Sequence, residues 1–224
     1  ASAKHPGGGF LGGAEAQEEN IARNSGLYAS LTSPAARGMY ESRPKDALYS
    51  DAMVYSPACP VFREGRTGTL LPSPWTCSFI TAAAPNAGVA RTRGFEEPEI
   101  LAALEQRAEK VLAVAAERGY EAVVLGAWGC GVFKNEPTDV ASAFARLLHG
   151  KFHGRFAYVS FAVCGPTANR AAFAAAFGGE GRMSIAPAPA PAEGTAESTA
   201  AESPAAEGTA AESTAAEGTA EGTA

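Results

Sequence analysis

Ala122-Val123-Val124-Leu125-Gly126-Ala127-Trp128-Gly129-Cys130-Gly131-Val132-Phe133 is the stretch that decides how this chain is read. Its first four residues form a short continuous apolar run, the pattern of a strand buried on both faces. Glycines follow at once, and Pro137 then opens a helix through Val140, Phe144 and Leu148. A strand end, a glycine loop and a helix start, in that order, set backbone N–H groups around a diphosphate-sized space. A plain glycine-rich turn with Phe133 in the core explains the same residues, so this stretch alone leaves both readings open.

Upstream of it, Pro98 sits where the first turn of a helix accepts a missing N–H. Ile100, Leu104, Ala108, Val111 and Ala115 then recur at helical spacing until Gly119 supplies a stop. Downstream, residues 156–163 read as a strand, and Thr167 or Asn169 caps a last helix through Phe173 and Phe177. Helix, strand, helix, strand, helix predicts an α/β fold with crossover connections, whose ligands bind at the carboxyl ends of strands. Nearer the start, residues 14–31 predict a helix bent near Gly26, with Ile21, Leu27 and Leu31 as buried positions. Residues 33–50 are turn-rich, and 53–55, 61–63 and 75–81 read as short strands bounded by Pro and Gly.

The last part of the chain has a different character. From Ala186 onward only Ala, Pro, Glu, Gly, Ser and Thr occur, so nothing there can be buried to offset the entropy of ordering. We therefore expect a body of residues 1–185 and a disordered tail of 186–224. The tail also sets the net charge of −6, because subtracting its seven Glu from 24 acidic residues leaves 17 against 18 Lys plus Arg. A nearly neutral body gives no case for a long nucleic-acid footprint, and direct DNA or RNA recognition is not expected. Cys59, Cys77, Cys130 and Cys164 lie far apart, with three His in the chain, so the expectation is reduced thiols in an intracellular protein and no metal. No run of 18 apolar residues marks a membrane span.

The second motif lies near the start, where Gly7-Gly8-Gly9 is followed after seven residues by Gln17-Glu18-Glu19. Three successive glycines are useful where backbone must approach something closely or take a positive φ. On a helix, neighbours point about 100° apart, so Glu18 and Glu19 are not placed to flank one bond as a glycosidase pair. They can divide the work, one holding a ribose hydroxyl and the other giving a proton to a leaving oxygen. A solvated acidic first turn, favoured by the helix dipole, accounts equally for two Glu at a helix start.

A triple glycine, a spacer of this length and Gln-Glu-Glu resemble the signature of poly(ADP-ribose) glycohydrolases. The continuation Phe10-Leu11-Gly12-Gly13-Ala14-Glu15-Ala16 looks like their microbial branch. The resemblance covers roughly residues 4–178, and it implies a three-layer macrodomain-like α/β fold, a mixed sheet between helices. Relatives carry strands and helices before the glycine loop, so we expect the N-terminal elements to be lacking here, leaving an open sheet edge.

What the family implies for this chain is exo-acting hydrolysis of ribose–ribose O-glycosidic bonds without a cofactor. The substrates are then poly(ADP-ribose) or ADP-ribosylated proteins, the product is ADP-ribose, and the acting species is a cytoplasmic or nuclear monomer. Glu19 protonates the leaving ribose oxygen and Glu18 binds ribose hydroxyls. Gly7, Gly8, Gly9 and Gln17 line the ligand, Gly129, Cys130 and Gly131 form the diphosphate loop, and Val132 and Phe133 pack over the distal ribose. Phe161 or Asn169 contacts adenosine, and residues 81–86 line the pocket. A reader that binds ADP-ribose without cleaving it, and an inactive fragment, remain the alternatives.

Overall fold

The computed structural model describes residues 1–41, 46–65, 67–164 and 167–178. The expected tail of 186–224 lies outside the described residues.

Helix α1 (Gln17–Asn24) and the short α2 (Leu27–Leu31) are separated by extended Ser25, so the expected bend near Gly26 is present. Leu27 and Leu31 are buried as expected, whereas Ile21 is half-buried. A 3-10 turn over Pro34–Ala36 and helix α3 (Arg37–Glu41) follow.

The strands expected at 53–55 and 61–63 are one strand, β1 (Met53–Arg63), paired antiparallel with β2 (Leu70–Ala82). Pro57 and Pro60 read as boundaries in the sequence because proline cannot donate to a ladder. Here they flank a bulge: the register shifts between Ser56 and Cys59, and Ala58 takes a left-handed φ of 45°. The bulge absorbs both prolines without ending the strand.

Helix α4 (Ala87–Thr92) is capped by Asn86, whose side chain accepts from Val89 N at 3.2 Å. Helix α5 (Glu97–Glu117) carries Pro98 in its first turn and a capping box between Glu96 and Glu99. Strand β3 (Ala122–Leu125) and β4 (Tyr158–Phe161) pair in parallel, Ala122 opposite Tyr158 and Leu125 opposite Phe161. Helix α6 (Pro137–His149) makes the crossover between them, and α7 (Thr167–Phe177) packs on α6. Thr167 and Asn169 are the first and third residues of α7.

The main core is the sandwich of Leu104 and Leu112 from α5, Val140, Phe144 and Leu148 from α6, and Val159 from β4. Each such side chain contributes about 1.5–3 kcal/mol by leaving water. The α/β class predicted from the sequence is present, but its strands form two separate two-stranded sheets among the described residues. Strand β3 is accordingly not buried on both faces: β4 is its one strand partner among the described residues, and Val124 is 69% exposed. No helix of the described residues is long and apolar enough to cross a membrane.

Candidate active site

Gly7 and Gly8 take left-handed φ values of 68° and 62°, which is why glycine stands at both. The loop they form turns back on the first turn of α1, and its amides are engaged within the protein. Gly8 N donates to His5 O at 3.0 Å and Gly9 N to Glu19 Oε1 at 3.1 Å, while the Gly7 amide faces the Glu18 carboxylate and helps to lower its pKa. The loop does not run directly into the helix either, since a 3-10 turn over Phe10–Gly12 and residues 13–16 intervene. The amides of the glycines face two carboxylates.

Both carboxylates converge on Gly8. A Cβ added there would collide with Glu19 Oε1 and would lie 3.4 Å from Glu18 Oε2. Neighbouring helix positions diverge by about 100°, yet both long side chains reach back to one loop. Glu18 is buried, and its carboxylate also accepts from Ser2 N. Burial pushes the Glu18 carboxyl above its ordinary range, and the nearby Glu19 charge adds to that rise. The Ser2 and Gly7 amides and the N-terminal charge pull the other way. Each carboxylate keeps one oxygen buried and without a hydrogen-bond partner among the described residues, Glu18 Oε1 and Glu19 Oε2. Leaving such groups unsatisfied costs about 1–3 kcal/mol each, which marks the pair as built for something that is not protein. The Tyr40 hydroxyl is a third such atom. Its phenol is held protonated by burial and by the Glu18 charge.

This geometry makes Gly8 the least replaceable residue of the loop. Gly8→Ala should abolish the chemistry of the pair, because the new methyl displaces Glu19 and the backbone resists an L side chain at that φ. Circular dichroism and a thermal melt of the same protein should still report a fold. Half or more of the parent activity in Gly8→Ala would mean that the carboxylates are not held as described.

The second glycine motif follows β3. Gly129 takes a φ of 75°, and a Cβ there would collide with Asn135 Nδ2 and meet Ala84 Cβ at 2.6 Å. Asn135, buried, donates to Pro85 O at 2.8 Å and Gly129 O at 3.1 Å. Phe133 O accepts from Gly88 N at 2.9 Å, and Trp128 Nε1 donates to Ala82 O at 3.1 Å. The loop is thus moored along the 82–88 segment. The amides of Gly131, Val132 and Phe133 find no acceptor among the described residues. Val132 is 83% exposed, and Phe133 is half-buried against Tyr49 with ring centroids 5.9 Å apart. Phe133 stands outside both core clusters, which removes the reading of it as a core residue. Burial, with the Glu136 charge, pushes the Cys130 thiol up to about 11, so it stays protonated and serves as a small packing residue.

Gln17 bridges the two motifs: its Nε2 lies 3.9 Å from the position of a Cβ on Gly126, at the end of β3. Gln17 and Glu18 also border a cavity of about 470 Å³ between β2 and β3, lined by Trp75, Phe79, Tyr120, Val124 and Leu125. The lining of this cavity is mostly apolar. Thr81 lines the same cavity, while Asn86 is occupied as a helix cap. Phe161 packs among Phe144, Phe173 and Phe177 at 4.6–5.8 Å between centroids, a core role, and Asn169 lies in the first turn of α7.

Sequence reasoning missed Asn135, Tyr49 and the pair Arg107–Asp51. Arg107 is 1% exposed, and its guanidinium reaches Asp51 Oδ1 at 3.0 Å and the carbonyls of Ala83 and Leu48 at 2.8 and 2.9 Å. A signal was present, because a charged residue on the apolar stripe of α5, between Leu104 and Ala108, needs a buried partner.

The first 64 residues match the family model of the microbial-type PARG catalytic domain. The chain is similar to the poly(ADP-ribose) glycohydrolase (PARG) of Deinococcus radiodurans, solved in complex with ADP-ribose. The two are 48% identical over 80% of this chain and 73% of that one, with a TM-score of 0.74. It is also similar to the poly(ADP-ribose) glycohydrolase of Thermomonospora curvata bound to the inhibitor ADP-HPD, at 53% identity over 79% and 68% of the two chains and a TM-score of 0.72. No curated protein matches.

Proposed function

This chain belongs to the microbial-type poly(ADP-ribose) glycohydrolases, and from that premise we propose that Glu19 is the general acid and Glu18 the ribose-holding carboxylate of its reaction. The enzyme hydrolyses the ribose–ribose O-glycosidic bonds of poly(ADP-ribose) and releases ADP-ribose. One observation carries the assignment of roles. Two adjacent carboxylates meet at Gly8, Glu19 held by Gly9 N and Glu18 by Ser2 N, and each keeps a second, buried oxygen without a partner among the described residues.

In this reading Glu19 Oε1 stays on Gly9 N, which fixes the plane of the carboxyl group. Its Oε2 carries the proton to the leaving ribose oxygen as the glycosidic bond breaks. The oxocarbenium-like sugar that forms is attacked by water, and the Glu19 carboxylate takes the proton that water gives up. Glu18, held by Ser2, offers Oε1 to hydroxyls of the departing unit's ribose. The diphosphate rests on the amides of Gly131, Val132 and Phe133, beside Gly129 and Cys130. Val132 and Phe133 cover the distal ribose, so the terminal unit of the polymer is the one cleaved.

The test is incubation of the purified chain with long poly(ADP-ribose), followed by chromatography of the products. Free ADP-ribose should accumulate from the start while the remaining polymer shortens gradually. Early appearance of mid-length oligomers would replace the exo reading with internal cleavage. Intact polymer together with tight calorimetric binding of ADP-ribose would replace hydrolysis with a binding role.

A further inference from the structure

Cys59 and Cys77 stand directly opposite each other in the β1–β2 ladder. Residues opposite in an antiparallel pair point to the same face and have Cα atoms about 4.5 or 5.5 Å apart, and both spacings fall within the roughly 4.4–6.8 Å that a disulfide spans. Both thiols are free, Cys59 buried and Cys77 half-buried. Their sulfur atoms contact carbonyls on their own strands, Ser56 O at 3.9 Å and Ser78 O at 3.5 Å, so neither is committed to another side chain. Burial raises both thiols, and the Cys77 charge adds to the rise at Cys59, as expected for neighbours. Cys77 also borders the cavity between β2 and β3, which gives a small reagent a way in.

We propose that Cys59 and Cys77 form a reversible cross-strand dithiol–disulfide site, oxidised by small disulfides. In the first step the Cys77 thiolate attacks one sulfur of a small disulfide, breaking its S–S bond and releasing one small thiolate. In the second, the Cys59 thiolate attacks Cys77 Sγ, forming the Cys59–Cys77 bond and expelling the other small thiolate. Two protein thiols are oxidised, one small disulfide is reduced to two thiols, and the two cysteine protons pass through solvent to the released thiolates. Because burial keeps both cysteines protonated near neutrality, the exchange accelerates as pH rises.

The site matters because of what rests on it. Pro60 O accepts from Gly26 N at 2.8 Å, Val61 pairs with Ser25, and Ser56 Oγ accepts from Ser30 Oγ at 2.7 Å. A staple at this bulge fixes β1 beneath the junction of α1 and α2, the helix pair that carries Glu18 and Glu19.

The full chain, reduced and desalted, is incubated with graded ratios of glutathione disulfide to glutathione, its remaining thiols are alkylated, and its peptides are mapped by mass. The expected product links the Cys59 and Cys77 peptides with the loss of two hydrogens, and exposed Cys164 carries glutathione at most. The linked form should melt about 5 °C or more above the reduced form. In Cys59→Ser, Cys77 should stop as the mixed disulfide with glutathione. The proposal is overturned if the parent chain yields no linked peptide at a ratio that fully modifies Cys164, or if both cysteines end as separate glutathione adducts. That readout needs no variant to fold.

Discussion

Glu19→Gln should lower the rate of ADP-ribose release from poly(ADP-ribose) by about 10²–10⁴-fold, the usual cost of losing a positioned general acid. The substitution changes little else. Glutamine keeps an oxygen to accept from Gly9 N, which now bonds Glu19 Oε1 at 3.1 Å, and it has the same length against Gly8. What it lacks is a transferable proton at the position of Oε2, the buried oxygen without a partner among the described residues. Calorimetric binding of ADP-ribose should therefore stay within a few-fold of the parent while kcat collapses, the split expected when an interaction made only in the transition state is removed.

Glu18→Gln is the matched control. Its backbone donor, Ser2 N, is satisfied by an amide oxygen, so the variant should lose mainly hydroxyl binding and raise KM. A reversal, with Glu19→Gln still active and kcat collapsing in Glu18→Gln, would exchange the two roles. Burial of Glu18 pushes its carboxyl towards the protonated form, so it is the residue that would then carry the proton.

The residue types of this site were legible in the sequence, and their contacts were not. Glycine at positions 7 and 8 announced positive φ, and Gln17-Glu18-Glu19 at a helix start announced carboxylate chemistry, because both are local properties of the chain. The direction in which the loop's amides point is set by closure against α1, so the bond from Gly9 N to Glu19 could not be read from the sequence. The same contrast holds in the scaffold. Ile100, Leu104, Ala108 and Ala115 gave α5 by period alone, and the turn chemistry of Pro98 and Gly119 gave its ends. Pro57 and Pro60 split β1 on paper, since no local rule says that a bulge at Ala58 will absorb them. The apolar run Ala122 to Leu125 read as doubly buried, yet burial of a strand depends on its neighbours, and β3 has β4 on one side and the cavity on the other.

Arg107→Met should destabilise the fold by about 2–4 kcal/mol, chiefly because carbonyls that the guanidinium now bonds are left without a donor at about 1–3 kcal/mol for each buried one. The guanidinium is 1% exposed and makes a closed set of bonds: Nε to Asp51 Oδ1, Nη1 to Ala83 O, and Nη2 to Leu48 O and Tyr49 O. Methionine fills much of the volume but leaves three carbonyls without this donor. It also leaves Asp51 to Lys110 and Gln106, which bond Oδ2 at 2.6 and 2.9 Å. Arg107→Lys should fall between, because one ammonium cannot span a fork that joins residues 48–51 to 83.

Urea denaturation at neutral pH measures the loss, and its pH dependence tests the cause. Burial alone would raise the Asp51 carboxyl, but hydrogen bonds from Lys110 and Arg107 outweigh it and hold the carboxyl below its ordinary value. A depressed carboxyl stabilises the fold above its unfolded pKa of about 3.9 and loses that contribution as pH falls through the folded value. The parent therefore loses stability in that acid window faster than the variant, and the gap between them should narrow below about pH 4.

Activity should respond as well, through position and not through chemistry. Arg107 holds the carbonyl of Tyr49, a residue at a left-handed φ of 62° whose ring stands 5.9 Å from Phe133. Freeing Tyr49 loosens the wall beside the Gly129–Phe133 loop, so if that loop holds the diphosphate as proposed, KM should rise several-fold at temperatures where the variant is still folded, with kcat nearly unchanged. A variant whose stability lies within about 1 kcal/mol of the parent's would show that the guanidinium is not the tie between these loops. A fall in kcat at constant KM would mean that its influence runs to Glu19 instead.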